Sequence, residues 1–136
     1  MNKKKFRFWL VLTILWLLVI FGHSAMPSEV SGRESLGILS WLTKILPNLS
    51  HTMLRKLGHV AEFSILGIFL TGCFWRAGGF RFHKPMLSGL VVAFLDETLQ
   101  LIVSGRSGEV RDIWIDLIGV FCGTLFLWII FKIRKK

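Results

Sequence analysis

The sequence has no tyrosine, two cysteines and eight acidic residues in 136. Each shortage narrows what the chain can be. Without tyrosine, an aromatic belt at a membrane surface has to be tryptophan. Cys73 and Cys122 both fall inside apolar stretches, so neither suits an extracellular disulfide, and their spacing matches no metal motif. They read as packing residues. The scarcity of acid against seventeen Lys and Arg gives a net charge of +9. A basic, apolar chain (53% hydrophobic, mean hydropathy +0.61) is a membrane protein, a nucleic-acid binder or a secreted cationic peptide. No clustered basic face or known motif supports nucleic acid as a partner.

Four apolar blocks decide for the membrane. They run over Phe8–Gly22, Val60–Trp75, Met86–Val103 and Ile113–Ile133. A bilayer-crossing helix needs about 20 apolar residues. With flanking residues such as Phe6 and His59 included, the spans become 6–22, 59–75, 86–103 and 113–133. Four such blocks in so short a chain leave almost no amphipathic helix to cover them in water. The predicted fold is an all-α integral membrane protein of four transmembrane helices, one domain over 1–136. A long outer loop, 23–58, carries Leu36, Leu39, Leu42, Ile45 and Leu46 at helical spacing before Pro47, with Trp41 among them. That pattern predicts a short helix lying in the membrane interface.

Charge sets the orientation. The N-terminal tail, the connection after the second span and the C-terminal tail together hold eleven bases and no acid. The other two connections hold six bases mixed with Glu29, Glu34, Glu109 and Asp112. The positive-inside rule places both termini in the cytoplasm, with Trp9 and Trp75 at the inner membrane interface. The basic excess also grips anionic inner-leaflet lipid. The Lys-rich start, the first apolar stretch and Ala25 resemble a signal peptide, but His23 at the −3 position is a poor cleavage signal.

Four of the eight acids lie within the apolar blocks: Glu62, Asp96, Glu97 and Asp116. An aspartate at the bilayer centre costs about 2.5–3.5 kcal/mol on insertion scales, so these acids should face one another, a cavity or a counter-charge. They share a depth. Lys56, His59 and Glu62 lie at the outer end of the second span, and Asp96, Glu97 and Gln100 in the outer half of the third. Asp112 and Asp116 lie at the outer end of the fourth, and His23 and Ser24 close the first. Asp96 is eight residues below Ser104, or roughly 12 Å of helix. Asp112, Asp116, Gly119 and Gly123 follow i, i+4, i+7, i+11, and Gly89, Ala93, Glu97 and Gln100 take the same steps. Each stripe is small below and acidic above, which predicts close packing inside and a cone-shaped polar pocket toward the outer leaflet.

The candidate ligand-binding residues are therefore His23, Ser24, Lys56, His59, Glu62, Asp96, Glu97, Gln100, Arg106, Asp112 and Asp116. The candidate acid–base groups are His59, Glu62, Asp96 and Glu97. Lys56, His59 and Arg106 do not plainly neutralise four acids, so a carboxyl is protonated, holds a cation or meets a cationic ligand group. Structural roles compete: Asp112 and Asp116 docking the fourth helix through Arg106 or Arg111, and His59 with Glu62 as a core pair. His59, Glu62 and Asp96 have zinc- or manganese-type donors but no recognised spacing, so no metal and no cofactor is assigned. His23 and Ser24 are adjacent and do not face each other as a nucleophile pair would.

The ordered set resembles the VanZ-like family of small bacterial membrane proteins. It consists of Phe21-Gly-His23-Ser24 and Pro27, Lys56-x-x-His59-x-x-Glu62-Phe63, Leu66-Gly67, Asp96-Glu97-x-x-Gln100, Gly105-Arg106, Asp112, Asp116, Gly119 and Gly123. The family often carries tyrosine where this chain has Phe63, so any role of that hydroxyl is absent. The resemblance implies four membrane helices and a link to low-level teicoplanin resistance, and it supplies no reaction. Three functions compete. One is binding of an envelope lipid headgroup or an amphiphile such as a glycopeptide. The second is an enzyme on a lipid-linked envelope substrate, with His59 or Glu97 as acid/base and Arg106 with Lys56 on phosphate. The third is a small transporter or flippase, disfavoured by four short helices without an inverted repeat.

Overall fold

The computed structural model describes residues 3–30, 32, 36, 37, 40, 50–106 and 108–134. Four long helices account for most of them: α1 (Lys3–Ser24), α2 (His51–Arg76), α3 (His83–Ile102) and α4 (Val110–Ile133). Each is long and apolar enough to cross a bilayer. No strand occurs among the described residues. Of the interfacial helix expected in the first loop, Leu39, Trp41, Leu42, Ile45 and Leu46 lie outside them.

The helices start and stop where backbone chemistry allows. α2 begins at His51, eight residues before the predicted span, because Ser50 caps it and accepts from the Met53 amide at 3.2 Å. The added turns carry His51, Thr52, Arg55 and Lys56, too polar to count as apolar span. Gly78 (φ +78°) turns the chain after α2, and Gly105 (φ +74°) turns it after α3. Pro85 sits in the first turn of α3, where no intrahelical donor is lost.

Contacts give the topology. His23 of α1 meets Glu62 of α2, and Trp9 packs against Gly72, so α1 and α2 run antiparallel. His59 meets Asp116 and Ser64 meets Gly123, so α2 and α4 run parallel. Gly89 meets Val120 while Asp96 and Glu97 cluster with Asp116, so α3 is antiparallel to α4. The bundle is up-down-up-down, and both termini leave from one end.

This bundle is apolar outside and polar inside. Phe8, Leu18, Val91, Phe94, Trp114, Ile118 and Phe126 are all exposed, whereas Thr71, Asp96, Asp116 and Thr124 have no accessible surface. A protein folded in water has the reverse arrangement, and a lipid-solvated one has this arrangement. A small core of Ile20, Phe63, Leu66, Ala93 and Val120 fills the middle. At the terminal end, Arg76 lies over the Phe131 ring (5.2 Å) and Lys132 over Trp128 (4.3 Å). Trp9 and Trp75 both stack near Phe131. Aromatic and cationic groups thus share that rim, as at a membrane–water interface.

The small-residue stripes pack as expected. A side chain at Gly119 or Gly123 would run into the backbone of α2 at Val60 or Ser64, and one at Gly89 into Val120. Backbone cannot yield, so Gly123→Val should destabilise the protein by about 1–3 kcal/mol. Gly58 has open space around it, and Gly58→Ala should raise stability by roughly 0.5–1 kcal/mol. Thermal unfolding of both variants in one detergent checks the contrast.

Candidate functional site

The end of the bundle remote from the termini holds the polar residues. His59 lies eight residues into α2, Asp96 six before the end of α3 and Asp116 six into α4. At 1.5 Å per residue these depths are roughly 9–12 Å below the helix ends. Asp96, Glu97 and Asp116 are 0%, 5% and 0% exposed, and His59 is 5% exposed. One donor atom from each of the four lies within 4.8 Å of the others.

Each carboxylate is held by a neighbour through one of its oxygens. His59 Nδ1 is 3.1 Å from Asp116 Oδ1, joining α2 to α4. Gln100 Nε2 donates to Asp96 Oδ2 at 2.9 Å, one turn away on α3. The Glu109 amide, at the start of α4, donates to Glu97 Oε2 at 2.8 Å. The Ser24 hydroxyl, at the end of α1, sits against Asp96. The second oxygen of each carboxylate (Asp96 Oδ1, Glu97 Oε1 and Asp116 Oδ2) is buried without a hydrogen-bond partner.

A rim surrounds the cluster. His23 Nδ1 and Glu62 Oε1 are 2.9 Å apart, and the two side chains are 36% and 22% exposed. Asp112 stands near Lys56 (3.8 Å) and Arg55 (3.9 Å), both at long range. Arg106 is a strap. Its Nε donates to the Met26 carbonyl (2.9 Å) and its guanidinium NH2 to the His23 carbonyl (3.0 Å). The Ser28 amide reaches the Ser104 carbonyl beside it, at 3.4 Å. Burial, and then the nearby Arg55, lower the Arg106 pKa from its usual value. An arginine starts so high that it stays charged.

All eleven predicted residues thus gather at one end, but three pairings differ from expectation. Glu62 pairs with His23 across helices, not with His59 on its own helix. Asp112 is served by Arg55 and Lys56, while Arg106 engages backbone carbonyls and not the acids. Asp96, Glu97 and Asp116, expected to line the wide half of the cone, are buried. The donor set that converges is His59, Asp96, Glu97 and Asp116, with Glu62 outside it. Arg55 was missed, although Arg55, His59 and Glu62 follow i, i+4, i+7 on α2. The Glu109 amide carries no side-chain signal that could have revealed it.

Four helices with this polar end have a counterpart among protein families. The family model described as VanZ/LLP1 matches residues 8–132. The chain belongs to that family. The match covers α2 and α3 whole, most of α1 and α4, and every residue of the cluster and rim. Comparison with curated proteins and with solved structures returns no match. The VanZ-like expectation therefore holds for family and architecture.

The cross-helix contacts can be tested as pairs. Double-mutant cycles of His59→Ala with Asp116→Ala, and of His23→Ala with Glu62→Ala, should each show coupling of about 0.5–3 kcal/mol. The buried His59 pair should exceed the partly exposed His23 pair, because screening by water weakens the latter. Additive unfolding energies in both cycles would show that the contacts do not hold the helices.

Proposed function

We propose that this VanZ-family protein binds the headgroup of an envelope amphiphile in the outer half of the plasma membrane, and that this binding contributes to teicoplanin-type resistance. The observation that carries the reading is the layering at one end of the bundle. A buried His59–Asp96–Glu97–Asp116 cluster with unpartnered oxygens lies beneath a rim of Arg55, Lys56 and Arg106. The positive-inside rule puts that end outside, because eleven bases lie at the other. Helix-end depth is headgroup depth. A phosphate or carboxylate of the amphiphile meets the cationic rim, and its acyl chain lies along exposed faces such as Leu101 and Ile102.

A second reading is an enzyme on a lipid-linked envelope substrate, favoured by one contact. A histidine held through a ring nitrogen by a buried carboxylate, as His59 is by Asp116, is the arrangement of an oriented general base.

One experiment separates the two. Envelope lipids and precursors of wild-type, deletion, Glu97→Gln and His59→Gln strains are profiled by mass spectrometry, and teicoplanin susceptibility is measured alongside. A binder gives unchanged lipid species and lowered protection in each defective strain. An enzyme gives one species accumulating in all three. Full protection in both variants at normal protein levels would return the polar groups to a purely structural role. For orientation, a cysteine introduced at Ser104 should react with a membrane-impermeant maleimide from outside intact cells. A cysteine introduced at Arg81 should react only after lysis.

A further inference from the structure

The proposed headgroup site leaves one feature unexplained: three carboxylates crowded together without a neutralising base. Asp96, Glu97 and Asp116 come from two helices and are almost fully buried, with His59 of a third helix among them. The cations at hand are committed elsewhere. Lys56 and Arg55 face Asp112, and Arg106 bonds backbone carbonyls. Among the described residues, the hydrogen bonds with measured geometry into the carboxylates come from Gln100, the Glu109 amide and His59 itself. Each carboxylate keeps a second oxygen that nothing donates to. A buried acceptor left this way carries its full desolvation penalty, and three of them stand together.

We propose that His59, Asp96, Glu97 and Asp116 bind one divalent transition-metal ion of the zinc or manganese class. The donor set decides the class. Three carboxylates and one imidazole suit zinc or manganese, whereas calcium and magnesium take oxygen-only shells with several waters. The spacing is near that of a metal shell. Donors on one tetrahedral ion with bonds of about 2.1 Å lie roughly 3.4 Å apart, and opposite donors of an octahedral ion about 4.2 Å, so a cluster within 4.8 Å draws in by about 0.5–1.5 Å on binding. His59 Nδ1 and Asp116 Oδ1, at 3.1 Å, already have the separation of adjacent ligands. The surrounding contacts are those of supported ligands: Gln100 holds Asp96 and the Glu109 amide holds Glu97, each through the oxygen that is not orphaned. A dication brings the three carboxylates close to neutrality at a depth where an unbalanced charge is expensive. It also ties α2, α3 and α4 together at one point.

The site is the cluster beneath the proposed headgroup rim, but the inference rests on its own geometry and is measured without any lipid. The full chain is purified in detergent without chelator, and its metal content is read by mass spectrometry. It is then stripped with EDTA and titrated with zinc, manganese and magnesium while thermal unfolding is followed. One equivalent of zinc or manganese per chain is expected. Stripping should lower Tm by at least about 5 °C, with recovery on adding zinc or manganese and not on adding magnesium. Asp96→Asn and Glu97→Gln should each weaken binding by about 100-fold or more, and Glu29→Gln, in the exposed loop, should not. Cobalt added to stripped wild-type protein should give ligand-field absorption that zinc abolishes, a readout that needs no variant to fold. Absence of stoichiometric metal with no Tm response to zinc or manganese overturns the proposal. So does equal affinity in the cluster variants and in wild type. Metal binding with unaltered teicoplanin susceptibility would sink the headgroup reading alone.

Discussion

The contact between His59 and Asp116 joins α2 to α4 at a depth where lipid offers no hydrogen bond. A charged or polar side chain placed there has to find its partner within the protein. That requirement organises the rest of the bundle. α3 brings Asp96 and Glu97 to the same point, and α1 ends at Ser24 against Asp96. The connection before α4 delivers the Glu109 amide to Glu97. Four helices therefore meet at a polar node, although apolar surface between them gains little from contact in a solvent as apolar as itself.

Glycine makes the node reachable. Gly119 and Gly123 let the α4 backbone lie directly against α2, one and two turns below Asp116. Gly89 does the same for α3 against Val120. With larger residues there, the helices would stand apart and the carboxylates could not converge. In the polar half Asp96, Glu97 and Asp116 are buried, and the Arg106 side chain bonds the carbonyls of His23 and Met26 where α1 ends.

Much of this was readable before any coordinates. The four spans follow from apolar run length, since bilayer thickness is a fixed ruler. The layer of polar residues follows from counting residues along helices of known rise. The i, i+4, i+7 stripes put Asp116 on the face with Gly119 and Gly123, which is the face that packs. Other features resisted. The start of α2 was misplaced because Ser50 caps polar turns that hydropathy excludes. His23 pairing with Glu62 was unreadable because helix spacing ranks partners on one helix and says nothing across 39 residues of chain.

Sequence alone determined the family, the four membrane helices and the end of the helices at which the unusual groups cluster, because each depends on composition and on distance along one helix. Tertiary structure decided which groups face each other. Rotation and approach of neighbouring helices brought Glu97 and Asp116 to His59, moved Glu62 out to His23, and turned Arg106 toward carbonyls instead of acids. Those are relations between helices, fixed by where glycine permits contact, and no periodicity within a single helix encodes them.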